Sequence, residues 1–418
     1  MFKMKWSFVF IGILLFAIEY YSYVAVSMAT KSMQPKFKIS IIVIHILISI
    51  LGWGGLILMR TMGPQFPQNI KAIAIALIMG IFVAKIIIMV LLFLGDGYRF
   101  IQWIVSLFKT VPQESIAADD PHRISRSVFL SRASLLIGGL IMGGFVWGTT
   151  NRYRYHIKKI KLSIAGLPDA LKGFKIAQIS DVHSGSFDNK AAVAHGVDLI
   201  LEQQPDLVLF TGDLVNDRAS ELEPYLDVFS KLTAPLGVYS TLGNHDYGDY
   251  VTWNSDAEKK ANLDQLKAYH KQMGWNLMMN EHVVLEKGGA AFALLGVENW
   301  SAKDRFPKHG LLKKAYEGLE ARQTAFKVLM SHDPSHWDAQ VKQMYPDINL
   351  TLSGHTHGMQ FGIELPWMKW SPVQYMYKQW AGLYTDQDQH LYVNRGFGFL
   401  GYQGRLGILP EITIIEFA

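Results

Sequence analysis

A chain of 418 residues exceeds the usual single domain, so two are expected, and half of it is hydrophobic, more than a soluble enzyme of that size carries. The formal net charge of +5 is too mild to point to nucleic acid and fits basic residues that flank membrane segments. The absence of cysteine excludes disulfides, thiolate metal sites and cysteine nucleophiles, and leaves the compartment open.

Four apolar runs occupy the N-terminal third, over residues 6–29, 39–59, 72–94 and 134–149. The first three reach the roughly 20 residues that a membrane-spanning helix needs; the fourth is shorter but uncharged, with a flexible or interfacial hinge as its alternative, and together they define an all-α transmembrane region, residues 1–150. In the last run Gly139 and Gly143 form a small-xxx-small pair that would admit a close helix neighbour. Residues 94–111 combine Tyr98, Phe100, Ile101, Trp103, Ile104, Leu107 and Phe108 with Arg99 and Lys109 off that face. This is the pattern of an amphipathic helix lying on a membrane. Ser27-Met28-Ala29 faintly matches a signal-cleavage site, but the run is long and further spans follow, so it is read as a retained helix. Glu19, His45 and Lys85 fall inside the runs. Such residues often mark a function, but a Glu19–Lys85 pair that joins helices is the simpler account. Basic residues fall evenly on the two sides and do not orient the spans. Ser125-Arg126-Ser127-Val128-Phe129-Leu130 resembles a twin-arginine export signal whose second Arg has become Ser127. The following domain is therefore expected outside the cytoplasm of a bacterial cell.

After a basic linker at residues 151–161, short apolar runs alternate with helical stretches. Strands are predicted over 175–180, 206–211, 237–242, 292–297, 326–331, 348–353, 391–394 and 412–417, and helices over 191–201, 222–232 and 257–273. This alternation argues an α/β layered domain over residues 151–418.

Polar residues gather just past the strand ends: Asp181-Val182-His183, Gly212-Asp213, Gly243-Asn244-His245-Asp246, His332-Asp333-Pro334 and Gly354-His355-Thr356-His357-Gly358. Ligands bind at the carboxyl ends of strands in α/β sheets, so these loops are expected to converge on one crevice. Asp, Asn and His without Cys suit Mn, Fe, Zn, Co or Ni better than a soft metal. A carboxylate can bridge two cations, and two cations about 3.5–4 Å apart can engage one phosphoryl group together. Each motif alone is common; the ordered set is not. His122, His156, His195, His270, His282, His309, His336 and His390 read as ordinary surface or core residues.

In this order the motifs resemble the five signature blocks of the calcineurin-like metallophosphoesterases, over residues 160–418. Gln178-Ile179-Ser180-Asp181, the His-Thr-His block, and the ending from Asn394-Arg395-Gly396 to Pro410-Glu411-Ile412 are similar to the membrane-associated bacterial YkuE/YaeI-type branch. The resemblance implies a four-layer sandwich of two mixed β-sheets flanked by helices. It implies that Asp181, His183 and His357 hold one divalent metal, that Asn244, His332 and His355 hold a second, and that Asp213 bridges both. Mn is the favoured ion. His245 would protonate the leaving group or stabilise its charge, Asp246 would orient its imidazole, and a metal-activated hydroxide would attack a phosphomonoester or phosphodiester without a covalent enzyme intermediate. Met359 stands where the branch usually has a second Gly after the His-Thr-His-Gly block, which puts substrate shape in question.

Beyond the motifs, Phe361, Trp367, Trp370, Tyr375, Tyr377, Trp380 and Tyr384, with Lys369 and Lys378 among them, suit a membrane interface or a lipid-like substrate. Packing against the domain is the alternative. The expected function is a membrane-anchored, dinuclear-metal phosphoesterase. A pyrophosphatase of a lipid-linked nucleotide sugar would use the same residues. A transporter or sensor with a regulatory metal domain is the competing class, and the intact ligand set argues against it. No basic, aromatic-interleaved groove points to nucleic acid, and nothing bears on oligomeric state.

Overall fold

The computed structural model describes residues 2–62, 66–108, 125–319 and 324–418; residues 109–111 of the amphipathic run and His122 lie outside them. The chain divides into two compact units, Met1–Thr149 and Thr150–Ala418.

The first unit consists of α1 (Phe2–Ala29), α2 (Pro35–Met62), α3 (Gln68–Leu107) and α4 (Arg126–Gly148). All four are long and apolar enough to cross a membrane. The separate surface helix expected from residue 94 onward is corrected: α3 runs through that point as one helix of 40 residues. Gly95 does not break it, because its bare Cα packs against α4; a Cβ there would meet Leu130 Cδ2 at 2.5 Å. The expected Gly139–Gly143 approach is corrected as well. Gly138 makes the close contact, where a Cβ would lie 2.9 Å from Ile88 Cδ1 of α3, while Gly139 and Gly143 face open space. Lys85 Nζ lies 2.7 Å from both carboxylate oxygens of Glu19 and from Ser49 Oγ, and Trp53 Nε1 donates to Glu19 at 2.9 Å. Hydrocarbon offers no water to a charge, so this cluster satisfies its members internally and ties α1, α2 and α3 together.

The second unit holds two six-stranded mixed sheets. The strands are β1 (His156–Leu162), β2 (Lys175–Ile179), β3 (Leu207–Phe210), β4 (Val238–Ser240), β5 (Asn276–Leu277), β6 (Glu281–Lys287), β7 (Ala290–Gly296), β8 (Lys327–Met330), β9 (Leu350–Ser353), β10 (Ile363–Leu365), β11 (Met368–Trp370), β12 (Gly382–Asp386), β13 (Gln389–Val393) and β14 (Glu411–Phe417). One sheet runs β1-β14-β2-β3-β4-β5 and the other β12-β13-β9-β8-β7-β6; β10 and β11 form a separate hairpin.

Period-two alternation builds the layers. Leu207 and Leu209 of β3 face Val328, Met330, Leu350 and Leu352 in a core between the sheets. Val208 and Phe210 point the other way, into a core shared with α5 (Lys190–Leu201) and, through Leu266 and Tyr269, with α7 (Asp256–Gln272). Leu329, Leu391 and Val393 cover the outer face of the second sheet, against Leu312 and Trp337. The four layers are thus helix, sheet, sheet, helix.

The basic linker expected at residues 151–161 is corrected to strand from His156 on. β1 pairs in parallel with β14, from His156↔Glu411 to Leu162↔Phe417. Its lysines guard a sheet edge and hide its strand character. The helix expected over 222–232 is shorter: Pro224 keeps Ala219–Tyr225 in a 3₁₀ turn, and only α6 (Leu226–Phe229) is α-helical.

Candidate metal centre

The functional loops leave the carboxyl ends of β2, β3, β4, β8 and β9, where the two sheets meet. Asp181, His183 and His357 come together in one buried group, and Asp213, His332 and His355 in a second. Asn244 and His245 line the same cleft, of about 210 Å³, together with Arg305, Phe306 and Tyr377. Asp213 sits between the groups, its Oδ2 3.1 Å from His332 Nε2 and 3.6 Å from His183 Nε2.

Close approach depends on two glycines. A Cβ at Gly243 would lie 2.2 Å from Asp213 Oδ1, and one at Gly354 would lie 2.1 Å from Asp181 Oδ2. Backbone strain is concentrated here too. Asp181, His183, Asp213, His355 and His357 all have φ between 49° and 70°, five of the ten non-glycine residues with positive φ among the described residues. Such strain costs on the order of 1–3 kcal/mol per residue and persists where surrounding structure enforces it, commonly at ligand sites. Met359 shares this conformation at φ 56°, which explains why a glycine suits that position.

The donor set fits divalent cations. His183 Nε2 and His357 Nε2 face each other at 3.0 Å, and His357 Nε2 lies 3.3 Å from Asp181 Oδ1. Burial draws His183 down to about 3 and His355 to about 4, so both rings are neutral and able to ligate. Asn244 Oδ1 and His355 Nδ1 are buried without a hydrogen-bond partner. Burial also opposes charge on His332, but Asp213 outweighs it and raises the ring to about 10. Nε2 of that ring is buried without a hydrogen bond and faces Asp213 Oδ2 at 3.1 Å, as a ligand atom would.

Neighbouring groups aim the candidate ligand atoms. Thr211 O bonds His332 Nδ1 at 2.8 Å and so turns Nε2 inward. Asn244 Nδ2 donates to Tyr250 Oη at 2.8 Å, which fixes Oδ1 toward the cleft. Tyr377 Oη bonds His355 Nε2 at 2.8 Å and donates to Asp333 Oδ2 at 3.1 Å. Tyr377→Phe is expected to weaken divalent-metal binding about tenfold, since such supporting contacts tune ligand orientation. Calorimetric titration of metal-stripped protein checks this; unchanged affinity would mean that Tyr377 does not position His355.

One expected role is corrected. Asp246 does not hold the His245 ring. Its carboxylate accepts the backbone N–H groups of Gly243, Asp213, Leu214 and Val215, at 2.8–3.3 Å, and so shapes the Asp213 turn. The carbonyl of Asn216 accepts a hydrogen bond from His245 Nδ1 instead, at 2.7 Å, and the ring packs on Tyr250.

Arg405 was not foreseen. It is fully buried and donates to the carbonyls of Arg395 at 2.7 Å, Gly396 at 3.1 Å, Gly398 and His357 at 3.2 Å. Only Tyr377 had a sequence signal, as one of the aromatics after the last motif.

Residues 174–359 match the family described as "Calcineurin-like phosphoesterase", and residues 4–152 match "Probable Calcineurin-like phosphoesterase, transmembrane domain". The chain belongs to the calcineurin-like phosphoesterase family. It is 30% identical over 310 residues to the uncharacterized metallophosphoesterase YkuE of Bacillus subtilis, covering 70% of this chain and 97% of that one. It is 29% identical over 263 residues to a transmembrane protein with metallophosphoesterase domain from Danio rerio, covering 61% of this chain; the chain spans only 56% of that relative's length. It is 27% identical over 259 residues to phosphodiesterase YaeI of Escherichia coli, covering 62% of this chain and 87% of that one.

Proposed function

We propose that the Thr150–Ala418 unit is a metal-dependent hydrolase of phosphomonoesters or phosphodiesters, held to a membrane by α1–α4. The observation that carries this is the pair of buried Asp/His groups on one cleft, with the Asp213 carboxylate between them. Asp181, His183 and His357 would hold one cation, Asn244, His332 and His355 the other, and Asp213 both. Bound there, two divalent cations supply Lewis acidity that activates water and offsets charge on phosphoryl oxygens. The oxygen and nitrogen donors favour Mn over a soft ion.

His245 is the proton donor. Its Nδ1 is committed to Asn216 O, so in the doubly protonated ring Nε2 is the atom left to protonate the departing oxygen. Its backbone N–H donates to Asp213 Oδ1 at 2.8 Å, which ties the donor to the carboxylate between the groups. His245→Asn is expected to lower kcat on bis(p-nitrophenyl) phosphate about a hundredfold while bound metal stays at the wild-type level. A kcat equal to wild type would overturn the assignment.

The Ser125–Leu130 segment supports export of the catalytic unit from the cytoplasm. Ser125 caps α4 by accepting from Val128 N, so this segment starts the last membrane-capable helix. A reporter enzyme that is active only outside the cytoplasm, fused after Ala418, is expected to be active; an inactive but intact fusion reverses the orientation.

A further inference from the structure

The aromatic segment that follows β9 divides into two kinds of side chain. Tyr377 and Trp380 pack with Val373, Ala381 and Ile408 into a small core, so packing accounts for them. Trp367, at the turn of the β10–β11 hairpin, is 77% exposed, and Tyr375 is 78% exposed. Ile363, Leu365 and Met376 are exposed as well.

The exposure does not come from a loose loop. Glu364 pairs with Lys158 at 3.0 Å and with Arg395 at 2.8 Å. Gly362 N donates to Leu406 O at 2.9 Å, and Lys369 Nζ bonds the carbonyl of Ala381. A hairpin fixed on its inner side thus holds large apolar residues outward, and soluble surfaces rarely keep such a group without a partner. The cleft lies next to it in the chain and in space, since Met359 and Met376 form part of its wall.

The chain also enters the unit on this side. Asn151 Nδ2 donates to Arg405 O at 3.4 Å, and the adjacent Leu406 bridges to Phe361 at the root of the hairpin. Asn151 is three residues beyond Gly148, the last residue of α4, a reach of at most about 11 Å. The hairpin therefore lies where the chain enters the unit.

We propose that the β10–β11 hairpin and Tyr375 insert among the lipids of the bilayer that holds α1–α4, and that the cleft acts on phosphoesters of membrane lipids. The substrate clause rests on the phosphoester reading above; the insertion clause does not. Trp and Tyr prefer the headgroup boundary, and Lys378 beside them can reach lipid phosphates from an apolar surface. The metal-binding groups would take the phosphate, and Met359 and Met376 would meet the apolar part of the molecule.

The chain has no cysteine, so Trp367→Cys and Tyr375→Cys in the full protein can each carry one nitroxide label. Ala268→Cys on α7, which leads toward β5 at the far edge of the first sheet, is the aqueous control. In nanodiscs of phosphatidylglycerol and phosphatidylcholine, labels at 367 and 375 are expected to collide preferentially with oxygen, and the label at 268 with a water-soluble nickel chelate. Chelate preference at all three positions overturns insertion. Trp367→Asp is expected to hydrolyse bis(p-nitrophenyl) phosphate like wild type but to lose roughly tenfold on a diacylglycerol p-nitrophenyl phosphodiester in the same disc. Equal rates on the embedded ester, or equal losses on both esters, overturn the substrate clause. A wild-type protein that cleaves neither ester overturns the phosphoester reading and leaves the label result standing.

Discussion

Asp213→Ala is expected to lower phosphodiester hydrolysis about a thousandfold, because it removes one group from charge stabilisation and metal placement together. Asp213 Oδ2 lies 3.1 Å from His332 Nε2 and 3.6 Å from His183 Nε2, one in each candidate metal-binding group. Its other oxygen accepts the N–H of His245 at 2.8 Å, so the proposed proton donor shifts as well. Elemental analysis of dialysed protein should find fewer metal ions per chain, with deficits in both positions. Asp181→Ala offers the contrast, because Asp181 belongs to one group only, and it should lose one ion and keep the other. A variant at Asp213 that retains two ions and near-normal kcat would sink the bridging role.

Arg405→Met should cost at least about 3 kcal/mol of stability, since it leaves several buried carbonyls short of a donor at about 1–3 kcal/mol each. Burial lowers the guanidinium only to about 9, so it carries its charge at neutral pH. It spends that charge on the backbone of Arg395, Gly396, Gly398 and His357. The expected fall in Tm is about 10 °C for a domain of this size. Arg405→Lys should recover little, because one ammonium cannot span what a planar fork reaches. Differential scanning calorimetry of metal-loaded protein decides; a Tm equal to wild type for the Met variant would mean that water or neighbouring donors replace the guanidinium. Metal affinity should fall alongside Tm, since His357 loses one of its backbone supports.

What the sequence revealed of the site was its local part. The candidate ligands are carried by short motifs directly after apolar strands, and β2, β3, β8 and β9 are largely buried on both faces, so each reads as an apolar run. What it hid was set at a distance. Asp246 stands beside His245, but three of its four amide partners belong to a loop 31–33 residues earlier, and no local signal separates the two roles. β1 carries three lysines in seven residues, which masks a strand whose only strand partner among the described residues is β14. Arg405 sits in a glycine-rich loop that reads as solvent-exposed. The left-handed backbone of Asp181, His183, Asp213, His355 and His357 has no signature, because the residues there were chosen by chemistry and not by conformation.

The order of synthesis follows from the first sheet. β14 lies between β1 and β2, pairing in parallel with one and antiparallel with the other. The last in chain order of the fourteen described strands is therefore the wedge that joins the first two. Until residues 411–417 emerge, β1 has no neighbour and β2 has one bare edge, whatever the rest of the unit has achieved. Contacts of such long sequence separation form slowly. α1–α4 are complete more than 250 residues earlier, so the catalytic unit finishes folding after its anchor has been made.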